Sequence, residues 1–145
     1  SSGAISTTQN DFPSLSIDTT TGIPYVAYLE SGNLFVKQYS SSSDAWSLVG
    51  SGEVSDGIGM AGYPSLYIYL GTPYVAYQDN NAASKATVKK FTGGSWQLVG
   101  TAGFSDDIIS GSSERTISLT VSPGGIPYLA VRGSTPARLA VYKYN

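Results

Sequence analysis

One string recurs along this chain at an interval of about fifty residues, and it narrows the possible folds more than any other feature. Its first copy runs Pro13-Ser14-Leu15-Ser16-Ile17, Pro24-Tyr25-Val26-Ala27-Tyr28, Phe35-Val36-Lys37-Gln38-Tyr39 and Trp46-Ser47-Leu48-Val49-Gly50. The second runs Pro64-Ser65-Leu66-Tyr67-Ile68, Pro73-Tyr74-Val75-Ala76-Tyr77, Thr87-Val88-Lys89-Lys90-Phe91 and Trp96-Gln97-Leu98-Val99-Gly100. The third keeps Ile117-Ser118-Leu119-Thr120-Val121, Pro127-Tyr128-Leu129-Ala130-Val131 and Ala140-Val141-Tyr142-Lys143-Tyr144, and has no Trp segment. Leu15, Leu66 and Leu119 are spaced by 51 and 53 positions, and Trp46 and Trp96 by 50. A unit of four short apolar runs cannot bury both of its faces alone. Stacked copies can, so each copy needs its neighbours.

Each run reads as a strand. Leu15 and Ile17, Leu66 and Ile68, and Leu119 and Val121 alternate with polar residues, the period-two signal. Turn residues follow: Asp18 to Gly22, Gly71-Thr72, and Ser122-Pro123-Gly124-Gly125. The second run of each copy is almost continuously apolar, which predicts burial on both faces. Its fixed alanine (27, 76, 130) admits a close neighbouring sheet. Its leading proline (24, 73, 127) suits the first residue of a strand, where no ladder N–H is needed. No segment longer than ten residues keeps helical apolar spacing unbroken.

Four-stranded antiparallel units at this period predict an all-β chain of propeller blades. Pro-Ser-Leu, Pro-Tyr-Val-Ala-Tyr, Val-Lys-Lys-Phe and Trp-x-Leu-Val-Gly resemble the repeats of bacterial extracellular β-propeller proteins. The expected architecture is one β-propeller arc over residues 1–145. Its repeats lie at about 13–63, 64–116 and 117–145, and the last lacks its outer strand. A β-sandwich or β-prism repeat is the alternative. The sialidase Asp-box is not reproduced: Ser42-Ser43-Asp44-Ala45-Trp46 lacks its glycine and spacing, and the second copy has no aspartate there.

Composition excludes several kinds of chemistry. The chain has no cysteine and no histidine. Disulfides, thiolate catalysis, His-based triads and His- or Cys-ligated metals are therefore ruled out. Eight Lys+Arg against ten Asp+Glu give a net charge of −2, with Lys89-Lys90 the only adjacent basic pair. Nucleic-acid binding by phosphate neutralisation is not expected. No apolar run is long enough for a membrane-spanning helix. Charged residues make up 12% of the chain, about half the ordinary share. A surface of hydroxyls, amides and tyrosines in their place predicts a secreted or cell-surface protein. With no signal peptide and no initiator Met, the sequence reads as a mature or excised piece.

Candidate ligand-binding residues are Trp46, Trp96, Tyr77 and Asp79. The tryptophans suit stacking on sugar rings. Their equivalent places favour the plainer reading, bulk packed between blades. Tyr25, Tyr28, Tyr74, Tyr77 and Tyr128 are expected in the core, with hydroxyls bonded at the sheet ends. Asp56, Asp106 and Asp107 are candidate metal ligands in the connecting loops, with Asp11 in the matching N-terminal loop. Such loops suit calcium. No Asp-x-Asp-x-Asp-Gly spacing appears, and loop solubility and Asx-turns are the plainer reading, so no cofactor is expected. Asp79-Asn80-Asn81 reads as a hairpin tip. Arg115, Arg132 and Arg138 are the only arginines and read as solvated loop charges.

The expected function is a non-catalytic binding or scaffold module, lectin-like, with carbohydrate as its ligand. The expected partner is a second copy closing a six-bladed ring as a homodimer, or the remaining blades of a longer propeller. One alternative is a fragment of a propeller glycosidase or lyase, with Asp79 and either Asp106 or Glu30 as the carboxylate pair. Another is a purely structural self-assembling unit.

Overall fold

Period-two alternation broken by short turns folds this chain into three antiparallel sheets, one after another. The computed structural model describes residues 5–6, 10–57, 61–106, 117–133 and 138–144. Strands β1 (Asn10–Ile17), β2 (Pro24–Glu30), β3 (Asn33–Ser40) and β4 (Ala45–Leu48) pair in chain order. β5 (Ala61–Tyr69), β6 (Thr72–Asp79), β7 (Lys85–Thr92) and β8 (Ser95–Leu98) repeat the arrangement. β9 (Ile117–Val121), β10 (Pro127–Arg132) and β11 (Leu139–Lys143) form a sheet of three strands. These are two four-stranded propeller blades and a third with three strands among the described residues. No helix among the described residues is long and apolar enough to cross a membrane.

The tight turns explain the strand pairing. Leu70-Gly71 joins Tyr69 to its partner Thr72, and both turn residues have positive φ, 47° and 76°. Two such residues make the hairpin turn whose twist matches the strands. The β1–β2 turn is built differently. Asp18 is buried, and its carboxylate accepts the Thr20 N–H at 3.0 Å and the hydroxyls of Thr20 and Thr21 at 2.7 and 2.6 Å. The Thr21 hydroxyl, then the Thr20 amide, hold this carboxyl below the usual carboxylate range, outweighing the effect of burial. A lowered folded-state value stabilises the turn above the unfolded pKa, and the gain is lost as pH falls through the folded value. Asp18→Ala is therefore expected to lower the melting temperature at neutral pH. Its deficit should shrink steadily below about pH 4, the ordinary range for aspartate. A deficit constant from pH 7 to pH 2 in thermal melts would show that the carboxylate does not hold the turn.

Blades meet along two seams. Tyr25, Ala27, Leu34 and Val36 of the first blade cluster with Leu66, Ile68, Val75 and Tyr77 of the second. Tyr74, Ala76, Ala86 and Val88 of the second cluster with Leu119, Val121, Leu129 and Val131 of the third. Ala27 and Ala76 are fully buried, so the small residue sits where the sheets press together.

Polar links repeat at each seam. The innermost strand of a blade has one edge with no strand beside it. The Leu66 N–H on that edge donates to Ser14 Oγ of the preceding blade at 3.0 Å. The Leu119 N–H donates to Ser65 Oγ in the same way, at 2.9 Å. At the outer rim, Gly50 has φ of 91° and lies under Phe91 of the next blade. A Cβ there would stand 3.0 Å from that ring, and the positive φ strains any other residue, so the place favours glycine. Gly100 repeats this under Tyr144.

Candidate functional site

The innermost strands bring Ser14, Ser65 and Ser118 around one axis, and a cleft of about 430 Å³ opens there. Its rim is set by two β-bulges. In β1 the pairing slips between Asp11 and Ser14, so Phe12 and Pro13 together oppose Tyr28. In β5 it slips between Gly62 and Ser65, so Tyr63 and Pro64 oppose Tyr77. A bulge re-aims side chains that regular pairing would send elsewhere. Phe12 and Tyr63 sit at these bulges with positive φ, 54° and 49°. Left-handed backbone is costly for an aromatic residue and marks a site where the surroundings impose it.

The two rings meet at 4.6 Å between centroids, inclined at 55°. Phe12 remains exposed and Tyr63 half-buried, so the pair forms an aromatic ledge on the cleft. Opposite stand Ile117, Ser118, Ala130, Arg132 and Leu139 of the third blade. Arg132 ends β10 and is the charged residue among the described residues lining the cleft. First and third blades thus face each other across the axis. The arrangement offers an apolar ledge, hydroxyls and one guanidinium, which suits a small polar ligand held by a few directed contacts.

The residues singled out in the sequence lie elsewhere. Trp96 is half-buried at the first seam, where its Nε1 donates to the Val49 carbonyl at 3.1 Å and its ring tilts against Phe91 at 5.4 Å. This is the packing role. Trp46 holds the same place in the first blade and tilts against Tyr39 at 5.6 Å. Tyr77 is fully buried, and its hydroxyl has no hydrogen-bond partner among the described residues, unlike the bonded sheet-end hydroxyl expected for it. Burial first, then the negative charges of Asp79 and Asp56, raise its pKa far above the ordinary phenol value. Asp79 is buried and caps the turn Asn80–Ala82: its carboxylate accepts the Asn81 N–H at 3.0 Å and the Thr87 hydroxyl at 2.8 Å. That turn is the hairpin tip read from Asp79-Asn80-Asn81.

The loop aspartates are divided between seams. Asp56 receives the Lys89 ammonium at 2.8 Å at the first seam, and the same ammonium donates to the Val54 carbonyl at 2.8 Å. Trp96, Asp56, Lys89 and Glu53 line a smaller cleft of about 160 Å³ there. Asp106 lies at the second seam, where its N–H donates to the Tyr142 hydroxyl at 3.1 Å and that hydroxyl donates to its carboxylate at 3.3 Å. No three acidic residues converge among the described residues. Asp107 and Arg115 lie outside the described residues, as does the side chain of Asp11. Arg132, read as a solvated loop charge, is exposed as expected, but it ends a strand and stands on the axial cleft.

Phe12 and Tyr63 were not legible as site residues. The available signal was the aromatic before Pro-Ser-Leu in both copies, Phe12-Pro13-Ser14-Leu15 and Tyr63-Pro64-Ser65-Leu66.

No protein-family model matches the chain, and no curated protein matches it. Solved structures do. A Hadza microbial sialidase, Hz136, superposes with a TM-score of 0.54 at 13% identity, over 92% of this chain and 31% of the sialidase. An endo-1,4-β-xylanase from Bacteroides thetaiotaomicron gives 0.49 at 14% identity, covering 97% of this chain and 56% of that one. A GH43 endo-arabinanase from Bacillus licheniformis gives 0.45 at 13% identity, covering 91% and 52%. At these identities the likeness is one of fold. The chain spans under a third of the sialidase and about half of the other two.

Proposed function

We propose that the chain is a non-catalytic propeller module that holds a carbohydrate in the axial cleft. The observation that carries this reading is the Phe12–Tyr63 ledge, held at two repeat-equivalent bulges in costly backbone geometry. An aromatic face suits the C–H side of a sugar ring, while hydroxyls and a guanidinium suit its oxygens. Glycoside hydrolysis needs two carboxyl groups flanking the scissile bond. The described residues lining this cleft supply a cation instead.

The test is glycan-array binding followed by calorimetry on the best hit. Phe12→Ala, at the exposed member of the ledge, is expected to weaken binding by tenfold or more, with the melting temperature changed little. Silence across a broad array, or equal affinity in the variant, would remove the reading. A second reading, the fragment of a propeller glycosidase, draws support from the sialidase neighbour. Release of sugar from chromogenic glycosides, abolished by Glu30→Gln, would put that reading first.

A further inference from the structure

The two ends of the arc are exposed in a way that no interior position matches. Leu15 and Ile17 on the first blade are 67% and 55% exposed. Their repeat equivalents are buried: Leu66 and Ile68 at 5% each, Leu119 and Val121 at 6% and 4%. The third blade shows the mirror situation. Leu139 and Val141 are 76% and 66% exposed, whereas Leu34, Val36, Ala86 and Val88 in the same places are fully buried. Leu48 and Leu98, on the outer strands, are exposed in both blades alike, so exposure there belongs to the rim. Only the end faces break the pattern.

The two end faces are also complementary. Inside the chain, the face that carries Val36 or Val88 always meets a face that carries Leu66 or Leu119. The end faces are one of each kind. The hydrogen-bond code divides in the same way. Ser14 and Ser65 accept the leucine N–H of the blade that follows, and Ser118 is the third such serine. Leu66 and Leu119 donate to the blade before, and Leu15 is the third such leucine. Ser118 and the Leu15 N–H are the two members with no neighbouring blade among the described residues.

We infer that a second copy of this chain docks its first blade on the third blade of the first. Val141, Leu139 and Ala130 cover the partner's Leu15 and the partner's Ile17, and Ser118 Oγ accepts the N–H of the partner's Leu15. Two such seams, related by a two-fold axis, close the assembly. Two arcs of three blades make six, within the four to eight of known propellers. The curvature agrees, since the first and third blades of one chain already line a common cleft. That cleft is half of the completed axis: its open side, along Ala130 and Leu139, is where the partner's Phe12 enters. The inference rests on the seams and stands whether or not the ligand is a sugar.

Light scattering on the 145-residue chain after gel filtration tests it. The expected mass is twice the chain's 15.2 kDa. Leu15→Glu and Val141→Arg, each at an exposed position, should give particles of single-chain mass with unchanged far-ultraviolet circular dichroism. Leu98→Arg, an equally apolar change on the rim, should leave the double mass intact. A native chain that runs at 15.2 kDa at all concentrations would overturn the proposal. So would open polymers larger than two chains, or a double mass that survives both end-face variants.

Discussion

Trp96→Ala is expected to lower the stability of the chain by about 3 kcal/mol, at the lower end of the range for a large aromatic removed from a core. The ring is only half-buried, which sets the lower end. Its loss removes the packing against Phe91 and over Gly50, and leaves the Val49 carbonyl without its indole donor. Trp46→Ala supplies the comparison. Trp46 has Tyr39 as its ring neighbour, and its removal should cost about 1 kcal/mol, the scale of an aromatic pair. Chemical denaturation of both variants measures the difference. Equal losses would mean that the seam contact of Trp96 adds nothing to the pair within its own blade.

Lys89→Ala is expected to cost about 2–3 kcal/mol, because it strands a polar group in a buried place. Lys89 is 4% exposed, and its ammonium bonds the Val54 carbonyl as well as the Asp56 carboxylate. The Asp56 side chain is largely in water, so solvent weakens the ion pair. Asp56→Ala should then cost less than Lys89→Ala, because the ammonium keeps its bond to the Val54 carbonyl. The contrast separates the two bonds. If Asp56→Ala costs as much as Lys89→Ala, the charge pair and not the carbonyl bond ties the blades.

Much of the fold was legible because the residues that specify it act through their own size or ring. Pro24 and Pro127 open β2 and β10 as the missing N–H requires. Ala27 and Ala76 are fully buried where a small residue was needed. Trp96 sits at a seam, as its recurrence at Trp46 suggested. The axial cleft was hidden for a different reason. A bulge is a slip of register between two strands, and no alternation within one strand records it. Phe12 and Tyr63 therefore read as loop residues ahead of a strand, although β1 and β5 begin earlier, at Asn10 and Ala61. Arg132 read as a hairpin charge because the axis draws together residues far apart in sequence. The loop aspartates misled in the opposite direction. Asp56 and Asp106 look alike in sequence, yet each serves a different seam with a different partner.

The serine links carry a consequence for how such a chain can change. Ser14 and Ser65 reach a backbone N–H in the next blade, which every residue but proline provides. The receiving side chain is not consulted. Lys89 at one junction and Tyr142 at the next can thus differ completely, as can Phe91 and Tyr144, while the spacing from blade to blade is preserved. Copies can drift apart in sequence and still keep the pitch of the arc, because its spacing is written in the main chain of one blade and a single hydroxyl of another.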